Sequence, residues 1–311
     1  MTAANQTAAN RNKPSERLEL SFRACRAIVD QSCSSFARSM RILPSDQRRA
    51  MEALYAFMRT VDDIADDESV PATVRRERLE LWRDWRRQDS PIVPALTETV
   101  DRFAIDPACL TETISGMEQD IEFQPIEDWP DLERYCARVA GTVGQACVAI
   151  WGTTLPKEQT GALTAWIGQQ SYAVQLTNIL RDIVEDARNG RCYLPVSLLS
   201  QFGLTVPEFI AGTLNLTTEF PQGDLSSPKA SCLSIDVFRL IVETVLPLAE
   251  QGYEASRPLQ SALSGPGRRS NGLIRGVYGK LFHKIRKDPT QILYRRVRLN
   301  WFEKLLVLFG S

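Results

Sequence analysis

The stretch Gln175-Leu-Thr-Asn-Ile-Leu-Arg-Asp-Ile-Val-Glu-Asp186 sets Gln175, Asn178, Asp182 and Asp186 at steps of three, four and four residues, with Glu185 beside them. Gln175 and Asp186 are eleven residues apart, about 20° beyond three helical turns, so the four side chains form one polar stripe. Ala173, Val174, Leu176, Ile179, Leu180 and Ile183 flank that stripe. A helix apolar everywhere except along one stripe is buried around it rather than laid on a surface.

A second stretch repeats the device. Tyr55-Ala-Phe-Met-Arg-Thr-Val-Asp-Asp-Ile-Ala-Asp-Asp67 pairs Asp62 with Asp66 and Asp63 with Asp67, each pair about 40° apart on one face. Like charges at that spacing repel unless a cation fills the gap, and alone the stretch reads equally well as a solvated acidic helix end. Two such stripes shift the balance. Buried carboxylates need partners, and the nearby cations are too few to neutralise them all. Facing stripes of hard oxygen ligands suit Mg²⁺. Arg59, Arg181, Arg188 and Arg191 stand close by, as a polyanionic ligand requires. Aspartate stripes, Mg²⁺ and arginines together make a device for diphosphate departure.

The rest of the chain narrows the class. Its 311 residues, 43% of them hydrophobic, suffice for a sizeable core. A balance of 37 basic and 38 acidic side chains argues against a dedicated nucleic-acid binder. The lone His283 argues against a Ser–His–Asp triad or a multi-histidine metal site. Seven cysteines without a C-x-x-C pair read as reduced thiols of a cytoplasmic protein, most of them core residues. No secretory signal and no apolar run of about 18 residues is visible.

From Leu18 onward the apolar spacing is helical. Residues 1–14 read as a disordered tail, residues 15–311 as one all-α domain, and residues 212–232 as an irregular loop. Residues 130–151 and 157–187 read as two long helices.

At this point the chain resembles the squalene/phytoene synthase family, the head-to-head prenyl transferases, over roughly residues 18–305. The likeness rests on Leu54 to Asp66, Gly116-Met-Glu-Gln-Asp120, Tyr135-Cys-Ala-Arg-Val-Ala-Gly-Thr-Val-Gly144, Gln175 to Asp186 and Arg191-Cys-Tyr-Leu-Pro195. The resemblance implies an isoprenoid-synthase helical bundle with a central cavity. It implies Asp62, Asp66, Asn178, Asp182 and Asp186 as ligands of two or three Mg²⁺ ions. Arg59, Gln175, Arg181 and Tyr193, with Ser32, Ser35 and Phe36, match residues at the substrate, and Tyr55 and Tyr135 match cavity tyrosines. Two departures stand out: Ala37-Arg-Ser-Met40 replaces further aromatics after Phe36, and Gln119 stands where the family form has Met.

The implied reaction binds two prenyl diphosphates, C15 or C20, in one apolar cavity. The first ionises to an allylic cation, the double bond of the second attacks it, and proton loss closes a cyclopropane. A second ionisation leads on to squalene or phytoene. The choice of C15 or C20, the stopping point and the use of NADPH stay open. Aromatic walls protect such cations, and Phe22, Phe36, Phe57, Tyr55, Tyr135 and Tyr172 are the candidates, each weighed against an ordinary core aromatic.

Competing readings are a chain-elongating prenyl transferase or terpene cyclase, and a non-catalytic relative acting as an assembly protein. The filled aspartate positions and the R-x-Y-L-P segment favour the head-to-head branch, nearest in look to phytoene synthases and the presqualene-forming enzymes of hopanoid pathways. The expectation is a monomer. Residues 275–304 are basic and run into the apolar Leu299-Asn-Trp-Phe-Glu-Lys-Leu-Leu-Val-Leu-Phe309, which reads either as a final packed helix or as peripheral contact with the inner face of the membrane.

Overall fold

A computed structural model describes residues 3–32, 39–218 and 233–299, with side-chain surroundings from Glu16 onward. Among them the chain is helical without strands; Thr153 and Leu263 form one isolated antiparallel bridge. No described helix is long and apolar enough to cross a membrane. Where sequence reads one domain, Cα proximity divides the chain into two compact units: Met1–Glu122, Thr142–Pro156 and Ala262–Asn271 in the first, Phe123–Gly141, Lys157–Ser261 and Gly272–Ser311 in the second.

The first unit contains α1 (Ala3–Gln31), α2 (Ser45–Asp66), α3 (Ala72–Arg83), α4 (Val93–Arg102) and α5 (Ala108–Ile121). Helix α1 takes in most of the segment read as a tail; that segment is alanine-rich, and alanine is the strongest helix former. Pro44 and Pro71 stand immediately before α2 and α3 and fix φ for helix entry. Leu54, Phe57, Leu96, Leu110 and Ile114, all fully buried, fill the unit's core, and Phe57 meets the Trp82 ring edge-on at 5.9 Å. Phe57 is thus an ordinary core aromatic. The Arg75 guanidinium donates to the Ala65 carbonyl at 2.5 Å and so closes the acidic end of α2, where a cation also suits the helix dipole.

The second unit begins with α6 (Trp129–Cys136), capped by the Asp128 carboxylate, which accepts from the Asp131 amide at 2.9 Å. The long helix read over 130–151 is interrupted: Ala137–Gly141 is a π turn, and α7 (Thr142–Trp151) follows in the first unit. Helix α8 (Thr160–Arg188) carries the second stripe, followed by α9 (Val196–Gln201), α10 (Val206–Thr218), α11 (Ile235–Ala255) and α12 (Arg257–Ala262). Residues 212–218 therefore continue α10, whereas 219–232 lie outside the described residues. Helices α13 (Gly265–Lys287) and α14 (Gln291–Tyr294) close the described chain.

Helix α11 lies directly on α8. Gly252 permits this approach, because a Cβ there would stand 2.8 Å from the Gln169 carbonyl oxygen and 3.0 Å from Ala173 Cβ. Leu176, Leu180, Phe238, Ile241, Val245 and Ile285 fill the core around them, and Val297 and Leu299 pin the chain's last described residues to it.

Candidate active site

Each stripe is built by its own helix. On α8 the burial pattern follows the sequence reading: Gln175, Asn178, Asp182 and Asp186 are half-buried, while Ala173, Leu176, Ile179, Leu180 and Ile183 are buried. Val174 alone among the expected flank is half-buried. The end of α8 is turned by Gly190, whose φ of +69° is open to glycine at little cost, and the Arg191 amide then bonds the Asp186 carbonyl at 2.8 Å. That turn delivers Arg191, Cys192 and Tyr193. Tyr193 stacks on Tyr135 of α6 with ring centroids 5.0 Å apart and planes at 25°, and Phe123 meets the Tyr193 ring edge-on at 5.2 Å.

Asp182 is the electrostatic centre of this half. Arg181 Nε lies 2.9 Å from Asp182 Oδ1, and a second guanidinium nitrogen bonds Oδ2. Arg296 Nε approaches Oδ1 at 2.8 Å, and its Nη1 reaches Glu185 Oε2 at 2.9 Å. Burial works against the charge on Arg181, but Asp182 and Tyr278 outweigh it and hold the guanidinium more firmly protonated than usual. Arg296 and Tyr278 were missed as site residues by the sequence reading. Arg296 was visible only as one of nine cations in a basic run, with nothing local tying it to α8.

On α2, Tyr55 and Asp62 are half-buried, whereas Arg59, Asp63 and Asp66 are exposed. Arg59 Nη1 bonds Asp62 Oδ2 at 3.0 Å and Nη2 approaches Asp63 Oδ1 at 2.5 Å. The exposed end of this stripe is thus wetter than the buried arrangement read from sequence. Ser32 donates its hydroxyl to the Val29 carbonyl at 2.7 Å, at the end of α1. Ser35 and Phe36, the other expected substrate residues of this segment, lie outside the described residues.

The squalene/phytoene synthase family model matches residues 29–303 of the chain. The chain belongs to this family. As a squalene/phytoene synthase family member it is a prenyl-transferase type of enzyme. It is 29% identical to the phytoene synthase of Mycobacterium tuberculosis over 293 residues, 93% of this chain and 90% of that protein. It is 41% identical to the presqualene diphosphate synthase of Rhodopseudomonas palustris over 181 residues, 56% of this chain and 63% of that one. In fold it is similar to a dehydrosqualene synthase crystallised with a ligand, with a TM-score of 0.76, 23% identity and 96% of this chain and 97% of that chain covered. A squalene synthase from Alicyclobacillus acidocaldarius superposes with a TM-score of 0.71 at 22% identity, covering 89% of this chain and 96% of that one. The all-α isoprenoid-synthase fold is therefore the fold of this chain.

The residues of the α8 stripe fit a divalent cation in kind. Asn178 donates Nδ2 to Gln175 Oε1 at 3.3 Å, but its own Oδ1 is buried without a hydrogen-bond partner. A buried amide oxygen left unpaired costs about 1–3 kcal/mol, and it is a hard oxygen donor of the type Mg²⁺ accepts. Among the described residues no three carboxylate, histidine or cysteine side chains converge as a metal cluster; on α8 the carboxylate of Asp182 faces arginines instead.

Five described cysteines, Cys25, Cys109, Cys136, Cys147 and Cys192, are free and buried. Burial pushes the Cys192 thiol up to about 12 and the Cys109 thiol to about 11, which suits inert core residues. Gln119, the residue that departs from the family form, has a buried Oε1 without a hydrogen-bond partner.

Proposed function

We propose that this chain condenses two prenyl diphosphates, farnesyl or geranylgeranyl, head to head (1'-1) through a cyclopropyl diphosphate toward presqualene diphosphate and squalene, or toward phytoene, with Mg²⁺. Family membership supports the reaction class. The observation that carries the metal reading is the orphaned Asn178 Oδ1, set one turn from Asp182 on the α8 stripe. Asp62, Asp66, Asn178, Asp182 and Asp186 would hold the ions, which when bound supply stabilisation of the charge on a departing diphosphate.

The chain's own groups do the rest. Arg59 and Arg181, both already placed on carboxylates of the stripes, are forked donors suited to diphosphate oxygens, with Gln175 and Tyr193 as further donors and Ser32 joining them once its hydroxyl turns from the Val29 carbonyl. Tyr135 and Tyr193, packed on each other, together with Tyr55 would give aromatic walls that favour an allylic cation and help exclude water from it. The second substrate's double bond then forms the new carbon–carbon bond as the diphosphate leaves, and loss of a proton closes the ring. Exposed Lys287, Arg295 and Arg298 support peripheral contact with an anionic membrane, although residues 300–309 of the expected apolar segment lie outside the described residues.

The test is substitution. Asp62→Ala and Asp182→Ala each lower product formation by at least about a hundredfold, the scale of a lost electrostatic stabiliser. Survival of full activity in either variant overturns the metal assignment.

A further inference from the structure

The face of α8 opposite the polar stripe is tied to α11 and α13 on three successive turns, all within the second unit. Gln170, Ala173 and Thr177 lie within roughly 60° of one another around α8, and roughly 150° from the stripe of Gln175, Asn178, Asp182 and Asp186.

On the first turn, Arg275 of α13 donates to Gln170 Oε1 at 3.0 Å. The same Nη1 bonds Ser256 Oγ at 2.7 Å, and Nη2 bonds the Tyr253 carbonyl at 3.0 Å, so one guanidinium joins α8 to the end of α11. A cation also suits the last carbonyls of a helix. On the second turn, Gly252 lets the α11 backbone rest on Gln169 and Ala173. On the third, the Thr177 and Tyr253 hydroxyls are 2.8 Å apart. Thr177 is fully buried and directs its own proton to the Ala173 carbonyl at 2.8 Å, so Tyr253 is the donor between them. Burial pushes the Tyr253 hydroxyl above its usual pKa and keeps that proton in place. Phe282 of α13 backs the Tyr253 ring at 5.6 Å.

These ties do what apolar packing does not. Arg275 is held on neutral acceptors, and burial makes its charge harder to keep. Apolar contact has no direction and resists the turning of a helix weakly, whereas hydrogen bonds fix angle as well as distance. Turning matters here. A rotation of α8 by about 10° carries an atom roughly 6 Å from its axis through about 1 Å, more than an octahedral Mg²⁺ site tolerates.

We propose that Tyr253 and Arg275 are positioning residues of the candidate site. They clamp the back of α8 and so fix the rotation at which Gln175, Asn178, Asp182 and Asp186 meet a metal-bound diphosphate, an inference that rests on the metal reading above. Neither residue touches the substrate; each acts through α8.

Calorimetric titration of the full chain with inorganic diphosphate, in excess Mg²⁺ and again in EDTA, tests this. The wild-type chain binds diphosphate more tightly with Mg²⁺, and the ratio of the two affinities isolates the metal's contribution. Tyr253→Phe, which removes one oxygen and keeps the ring, lowers that ratio about three- to tenfold, the scale of a lost hydrogen bond. Arg275→Gln lowers it as well; should that variant fold poorly, Tyr253→Phe decides alone. A general loss of structure weakens binding in both media alike and leaves the ratio where it was. An unchanged ratio in the variants, with the wild-type chain still favouring Mg²⁺, overturns the clamp and leaves the metal reading standing. A wild-type affinity that is the same in Mg²⁺ and EDTA overturns the metal reading and the clamp with it.

Discussion

Arg296 and Asp182 meet at 2.8 Å although 114 residues separate them in the chain. The same carboxylate is bonded by its sequence neighbour Arg181, so one aspartate of the α8 stripe carries two guanidiniums of different origin. The two contacts differ in burial. Arg181 and Asp182 side chains are 18% and 17% exposed, whereas the Arg296 side chain is 41% exposed.

That difference sets their contributions to stability. Removing Arg181 from this half-buried pair leaves Asp182 only the exposed Arg296, whereas removing an exposed partner such as Arg296 costs about 0–1 kcal/mol. Arg181→Ala therefore lowers the urea midpoint substantially and Arg296→Ala only slightly. Equal shifts for the two variants would show that Asp182 does not depend on Arg181 for its charge balance.

Glu52 is a buried carboxyl on α2, 8% exposed. Burial raises its affinity for a proton, Arg26, Arg48 and Arg49 oppose this, and Asp30 adds to it. An acid whose folded-state pKa is raised binds protons better in the native chain, so its contribution falls as pH rises through the window above the ordinary carboxyl value. Glu52→Gln, which cannot ionise, therefore raises the denaturation midpoint at pH 7–8 and gains nothing near pH 4. Urea curves across that range check it, and a gain that is the same at both ends contradicts it.

The contact of α11 on α8 predicts opposite outcomes for two glycines. Gly252→Ala forces a methyl against the Gln169 carbonyl and costs about 1–3 kcal/mol. Gly168→Ala, in the same α8 but with nothing within 4 Å of a new Cβ, gains about 0.5–1 kcal/mol. Thermal melts of the two variants move in opposite directions. A neutral Gly252→Ala would mean that the helices separate at no cost.

These relationships also mark what sequence could carry. The α8 stripe was legible because one helix supplies both its polar face and its apolar flank, and helical periodicity is a local property. Proline punctuation before α2 and α3 was legible for the same reason. The Arg296–Asp182 contact was not, since only the folded chain brings the last described segment onto α8. Nor was the π turn at Ala137–Gly141, where the residues continue a helical pattern and only the geometry shows the extra residue per turn. The wet end of α2 stayed open between a solvated and a buried reading, because identical aspartate spacing serves buried and exposed faces alike.

The central claim is the reaction. Purified protein with Mg²⁺ is incubated with farnesyl diphosphate or geranylgeranyl diphosphate, with and without NADPH and with and without EDTA, and the lipid is identified by mass spectrometry and NMR. The account predicts a 1'-1-linked product of twice the substrate's carbon count, or its cyclopropyl diphosphate, lost when EDTA removes the metal. A chain-elongated diphosphate, a cyclised terpene of unchanged carbon count, or unreacted substrate would contradict it.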